Sequence, residues 1–173
     1  MKSIIKNRDV VADDWTVVRA DEHGNLPSAP PSGRQIVPLA LWQRDRDAWP
    51  NDEPAPGVWL APDDDPAELV EDLARLPLIA VDFPVFRDGR GYSIARLLRE
   101  RHGWRGELRA IGDVLRDQLG YMARCGFDAF EVRADKDIRD ALRAFDELSV
   151  HYQGAVDDPR PLFRRREAAG ARS

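Results

Sequence analysis

Arginines and carboxylates cluster just after three short apolar runs, and these are the residues with which this chain could do chemistry. Arg87, Asp88 and Arg90 follow the run Leu78 to Phe83. Asp113 and Arg116 follow Leu108 to Ile111, and Arg133 and Asp135 follow Ala129 to Val132. A guanidinium presents a rigid fork of donors that matches a carboxylate or another oxyanion. Such a set can bind a small anion or an acidic peptide; alternatively its members pair with one another and fix their loops. Other chemistries lack their residues. Asp88-Gly89-Arg90-Gly91 has two glycines but no third at the dinucleotide-binding spacing, and no phosphate-loop lysine motif occurs. Ser93 has no flanking glycines of a nucleophile elbow. Asp113 and Asp117 lie four apart, a weak signal for acid–base work.

Cys125 is the only cysteine, which excludes intrachain disulfides and cysteine-ligated clusters. It falls in the last turn of a helical pattern, where the negative end of the helix dipole disfavours a thiolate, so it reads as a packed residue. His23, His102 and His151 show no paired ligand spacing, and His102 suits the C-terminal end of a helix. No metal and no cofactor are expected.

The elements that must position the rim groups are strands and helices in alternation. Leu78 to Phe83 is apolar apart from Asp82, as in a strand covered on both faces. A polar turn with Gly89 and Gly91 leads to Ile94, Leu97 and Leu98 at helical spacing. After the Leu108 strand, Asp113 is placed to cap a helix whose apolar face is Leu115, Leu119 and Met122, and Gly126 suits its left-handed C-terminal cap. Upstream, Gln35 to Val37 and Val58 to Leu60 read as short strands. Pro38 suits a first helical position before Leu39, Trp42 and Trp49. Asp63-Asp64-Asp65 resembles a metal site, but Asp65-Pro66-Ala67-Glu68 is better read as a helix N-terminus, with Leu69, Val70, Leu73 and Leu76 buried behind it. Downstream, Ile138, Leu142, Phe145 and Leu148 recur at helical spacing.

About five strand–helix units result, over 35–49, 58–75, 78–102, 107–125 and 129–149. Short connections between them imply a mainly parallel sheet, either open or a partial barrel, in one α/β domain. Residues 3–18 suggest a small N-terminal β hairpin or meander, and residues 20–33 a surface loop. In parallel sheets ligands bind beyond the carboxyl ends of the strands, which is where the arginine–carboxylate groups converge. Residues 154–173, with Arg164-Arg165-Arg166, read as a disordered arginine-rich tail.

At 173 residues and 43 % hydrophobic content the chain can bury one substantial core. The net charge of -5 gives no general attraction to nucleic acid or anionic membrane, and no apolar run approaches a membrane span or a signal peptide core. A cytoplasmic protein is expected. Seven arginines between Arg87 and Arg109 face only Asp88, Glu100 and Glu107, which favours an acidic protein partner over nucleic acid.

Phe83-Pro84-Val85-Phe86-Arg87-Asp88-Gly89-Arg90-Gly91-Tyr92-Ser93 is distinctive. With Leu97 to Arg101, Gly106 to Ala110, Gly112 to Gln118, Cys125 to Phe130 and Ala61 to Pro66, it resembles the bacterial family DUF934 over roughly residues 3–153. That family is often labelled an oxidoreductase of sulfite reduction, encoded beside assimilatory sulfite reductase and adenylylsulfate reductase. The resemblance therefore implies a role in sulfate assimilation and cysteine biosynthesis, and it carries over no catalytic residue. The oxidoreductase label meets no flavin, nicotinamide, haem or iron–sulfur signature here. A weaker resemblance joins the Phe-rich turn and Gly91-Tyr92-Ser93 to cyclic-di-GMP phosphodiesterase barrels, without their metal-binding glutamates. Two functional expectations follow. The first is an accessory protein that binds sulfite reductase or its electron donor, using the rim and the arginine-rich helix around Arg96 and Arg99. The second is an enzyme of the same pathway that binds a sulfur oxyanion at Arg87, Arg90, Arg116 and Arg133.

Overall fold

In a computed structural model, residues 2–28, 32–49, 55–146, 155, 156 and 159 are described; Leu148 and Arg164-Arg165-Arg166 of the expected tail lie outside them, while Val156 N–H within it donates to the Arg124 carbonyl at 3.0 Å. Eight strands form one sheet in the order β2-β1-β8-β7-β6-β5-β4-β3. They are β1 (Ser3–Lys6), β2 (Asp9–Ala12), β3 (Thr16–Val17), β4 (Gln35–Pro38), β5 (Gly57–Leu60), β6 (Leu78–Phe83), β7 (Glu107–Gly112) and β8 (Ala129–Phe130). β3 through β8 are parallel; β1 runs antiparallel to β8 and forms the N-terminal hairpin with β2. This is the expected α/β architecture with its hairpin, and the sheet is curled into a half-barrel.

The curl is required by the connectivity. β2 and β3 occupy opposite edges, yet only residues 13–15 separate them. Flat, the sheet would hold its edges about 34 Å apart. Three intervening residues reach about 14 Å at full extension. The edges must therefore approach each other at that end, with Asp13 N–H bonded to the Lys2 carbonyl and Thr16 N–H to that of Arg34.

Strand alternation sorts side chains to two faces. Ile79, Val81 and Phe83 of β6, with Leu108 and Ala110 of β7, pack outward into the main core. That core is closed by α1 (Leu39–Arg44), α2 (Arg90–Arg96), α3 (Arg116–Cys125), α4 (Ile138–Leu142) and the 3₁₀ segment Pro66–Arg75. On the inner face Leu78, Ala80, Ile36 and Ile111 form a smaller cluster with Trp15, Val17 and Trp59. Asp82, Glu107 and Arg109 share this inner face by register. Among the described residues no helix is long and apolar enough to cross a membrane.

Several local expectations change. Asp65 does cap, accepting from Ala67 N–H at 2.9 Å with Pro66 behind it, but the ten residues that follow are 3₁₀ throughout. α2 ends in a π turn, Leu97–Arg101, leaving Leu97 38 % exposed while Leu98 is fully buried. Pro38 closes β4 and precedes the first helical residue rather than occupying it. α4 stops at Leu142 and passes into a single 3₁₀ turn, with Leu142 and Phe145 only half buried. Cys125 is buried in the last turn of α3, and Gly126 takes φ +112 as its left-handed cap.

Candidate functional site

The rim of the half-barrel at the carboxyl ends of the strands is built from ion pairs that tie one loop to the next. In the turn after β6, Arg90 forks onto Asp88 at 3.0 and 2.7 Å, which holds the Asp88 carboxyl below the usual carboxylate range. Its Nη1 also pairs with Asp63 from the turn after β5. After β8, Arg133 forks onto Asp135 at 2.8 and 2.7 Å and donates to Asp113 at 2.9 Å. These bonds push the Asp135 carboxyl well down and the Arg133 guanidinium up.

Asp113 does not cap α3. The helix starts three residues later, with Leu115 extended and its N–H donated to Gln118 Oε1 at 3.0 Å. The carboxylate accepts instead from Phe86 N–H at 2.9 Å. Gln118 Nε2 in turn donates to the Phe86 carbonyl at 3.2 Å. Both backbone polar groups of Phe86 are thus fixed, while its ring is 45 % exposed beside Val85 at 57 %. Tyr121, one turn along α3 from Gln118 and packed edge-on against Tyr92 at 4.9 Å, is also exposed. Arg87 is exposed and makes no side-chain hydrogen bond or ion pair among the described residues.

Of the rim residues named from sequence, Asp113, Arg133 and Asp135 form one network that reaches Arg87 through its neighbour Phe86, and Asp88 and Arg90 form a second. Arg116 stands apart, paired with Asp140 of α4 at 2.8 Å. Arg99, expected on a docking helix, is interior. It donates to the carbonyls of Gly126, Trp104 and Gly106 and to the Asp128 carboxylate, all within 3.0 Å. Burial lowers its pKa and raises that of Asp128.

Sequence reading overlooked a cleft of about 480 Å³ on the same rim. Its charged lining is Lys2, Arg19, Glu131, Arg133 and Lys136. Arg19 reaches in from the end of β3, forks onto Asp82 at 3.1 and 2.7 Å, and lies over the Trp59 ring at 5.3 Å. The Asp82 hydrogen bonds raise the Arg19 pKa. A lone carboxylate in an otherwise apolar strand was the available signal, because a buried charge needs a partner. Among the described residues no group of three His, Cys, Asp or Glu side chains could hold a metal ion.

A half-barrel with helices on its outer face and a polar rim at the strand ends defines an α/β protein with a mainly parallel sheet. The chain belongs to the family described as "Bacterial protein of unknown function (DUF934)", whose model matches residues 57–163, from β5 onward. Neither curated proteins nor solved structures give a match.

Proposed function

We propose that this is a cytoplasmic accessory protein of assimilatory sulfite reduction, which docks the sulfite reductase or its electron donor through the loop joining β6 to α2. The observation that carries the docking part is the presentation of Phe86. An exposed aromatic with both backbone groups already bonded loses little freedom on binding, and aromatic and arginine side chains supply most binding hot spots. Arg87 beside it adds an exposed cation for an acidic partner. The pathway part rests on the family resemblance alone. Arg96 lies exposed on α2, paired with Glu100 at 3.4 Å, whereas Arg99 is committed to the interior.

Co-purification of the full chain with the sulfite reductase haemoprotein tests this reading. Wild type is expected to retain the reductase at moderate salt, and a Phe86→Ala/Arg87→Ala variant to release it. No complex with either protein removes the reading. The enzymatic alternative in the same pathway is supported by the open guanidinium of Arg87, since Arg90, Arg116 and Arg133 each already grip a carboxylate. It predicts that sulfite raises the melting temperature of wild type but not of Arg87→Ala.

A further inference from the structure

We propose that the cleft between Lys2, Arg19 and the β8–α4 loop is a binding site for a small organic anion, meaning one carboxylate or comparable oxyanion on a short apolar skeleton. The site is a separate cleft from the docking loop, joined to it through the Arg133–Asp113 pair. Among the described residues four cations from three separate segments, Lys2, Arg19, Arg133 and Lys136, line it with one carboxylate, Glu131, which Lys2 pairs at 2.8 Å while also reaching Asp13 at 3.2 Å. The carboxylates that fork onto its two arginines, Asp82 for Arg19 and Asp135 for Arg133, do not line the cleft. These carboxylates, with Asp113 on the third Arg133 nitrogen, hold the two guanidinium groups in place at the edge of the cleft. Fixed cations of this kind bind an anion without having to be ordered first.

The size and the remaining lining select the ligand class. About 480 Å³ lies within the range of small-molecule sites and is far more than a bare inorganic ion fills. Val132 and Ile138 supply apolar contact, and Ser3 brings a hydroxyl. The backbone is also drawn tight at this point. Gly112 has φ +92, and a Cβ there would meet the Phe83 carbonyl oxygen at 2.5 Å and Asp82 Oδ1 at 2.7 Å. Lys136 is the best handle for a test, because it is half-exposed and its side chain is held among the described residues by a loose 3.5 Å pair with Asp135.

Thermal melts and calorimetric titrations of the full chain with acetate, succinate and citrate, beside inorganic sulfate, test the site. At least one organic anion is expected to bind saturably to wild type and to Arg87→Ala. Lys136→Met, melting like wild type without ligand, is expected to bind about tenfold more weakly, the loss of one charged contact. Three results overturn the proposal: no saturable binding of any organic probe, undiminished binding to Lys136→Met, or sulfate binding as tightly as the organic anions. Loss of binding in Arg87→Ala would also overturn it, by moving the anion site to the docking loop.

Discussion

The inner face of the half-barrel and its rim use the same pair of groups, guanidinium and carboxylate, to different ends. Inside, Arg109 is 1 % exposed and pairs with Asp13 at 3.0 Å and Glu107 at 2.7 Å. Asp13 sits in the connector between the sheet's two edges, so this pair pins the connector to the middle of β7. At the rim, Arg133, Asp113 and Asp135 are open to water and hold a loop in position. Burial makes the difference. A buried ion is costly once its partner is gone, whereas water readily solvates an exposed one. The inner pairs therefore govern whether the sheet stays curled, and the rim pairs govern what its surface presents.

Breaking the inner pair should have the largest effect. Arg109→Ala should lower stability by about 3–5 kcal/mol in urea denaturation, because it removes the buried cation that Asp13 and Glu107 share, and Asp13→Ala by less, because Arg109 keeps Glu107. The double variant Arg109→Met/Asp13→Leu should recover much of that loss; two additive losses would show that the pair is not the reason. Arg99→Ala comes next, at about 1–3 kcal/mol, since its removal leaves three backbone carbonyls and Asp128 without their donor. Arg99→Lys should rescue little, because an ammonium cannot span the same acceptors.

A third, smaller effect lies at the rim and depends on pH. The folded-state pKa of Asp135 is depressed, so its contribution is present above the ordinary carboxylate pKa of about 4 and is lost as pH falls below it. Asp128 and Asp64 are raised by burial and have the opposite sign, favouring the folded state as they protonate. Acid titration of Asp135→Asn should show a shallower loss of stability below about pH 4 than wild type. Parallel curves would remove Asp135 from the acid response. The smallest expected change is in Phe86→Ala, which should alter stability by no more than about 0.5 kcal/mol while abolishing reductase retention. A large loss of stability would make Phe86 a core residue and sharpen the contrast in the other direction.

Much of this architecture is legible in the residues. Leu78 to Phe83 matches β6 residue for residue, Gly126 ends α3, and Asp65-Pro66 opens the segment that follows it. These features are local, fixed by hydrophobic run, backbone freedom and capping. The chemistry at longer range was not. Arg99 and Arg109 counted as surface charge because both fall in an arginine-rich stretch. Yet period-two alternation puts Arg109 opposite Leu108 and Ala110, on the face where Asp13 arrives from far upstream. Asp113 looked like a cap because its position before α3 was visible and Phe86 and Arg133 were not. The curl itself depended on the pairing of β1 with β8, which periodicity does not encode.

That pairing also constrains how the molecule is made. Ile5 lies opposite Phe130, so β1 has no neighbour in the sheet beyond its own hairpin until β8 has left the ribosome. The nascent hairpin must wait, its inward-facing edge unpaired, while the six parallel strands and their helices assemble behind it.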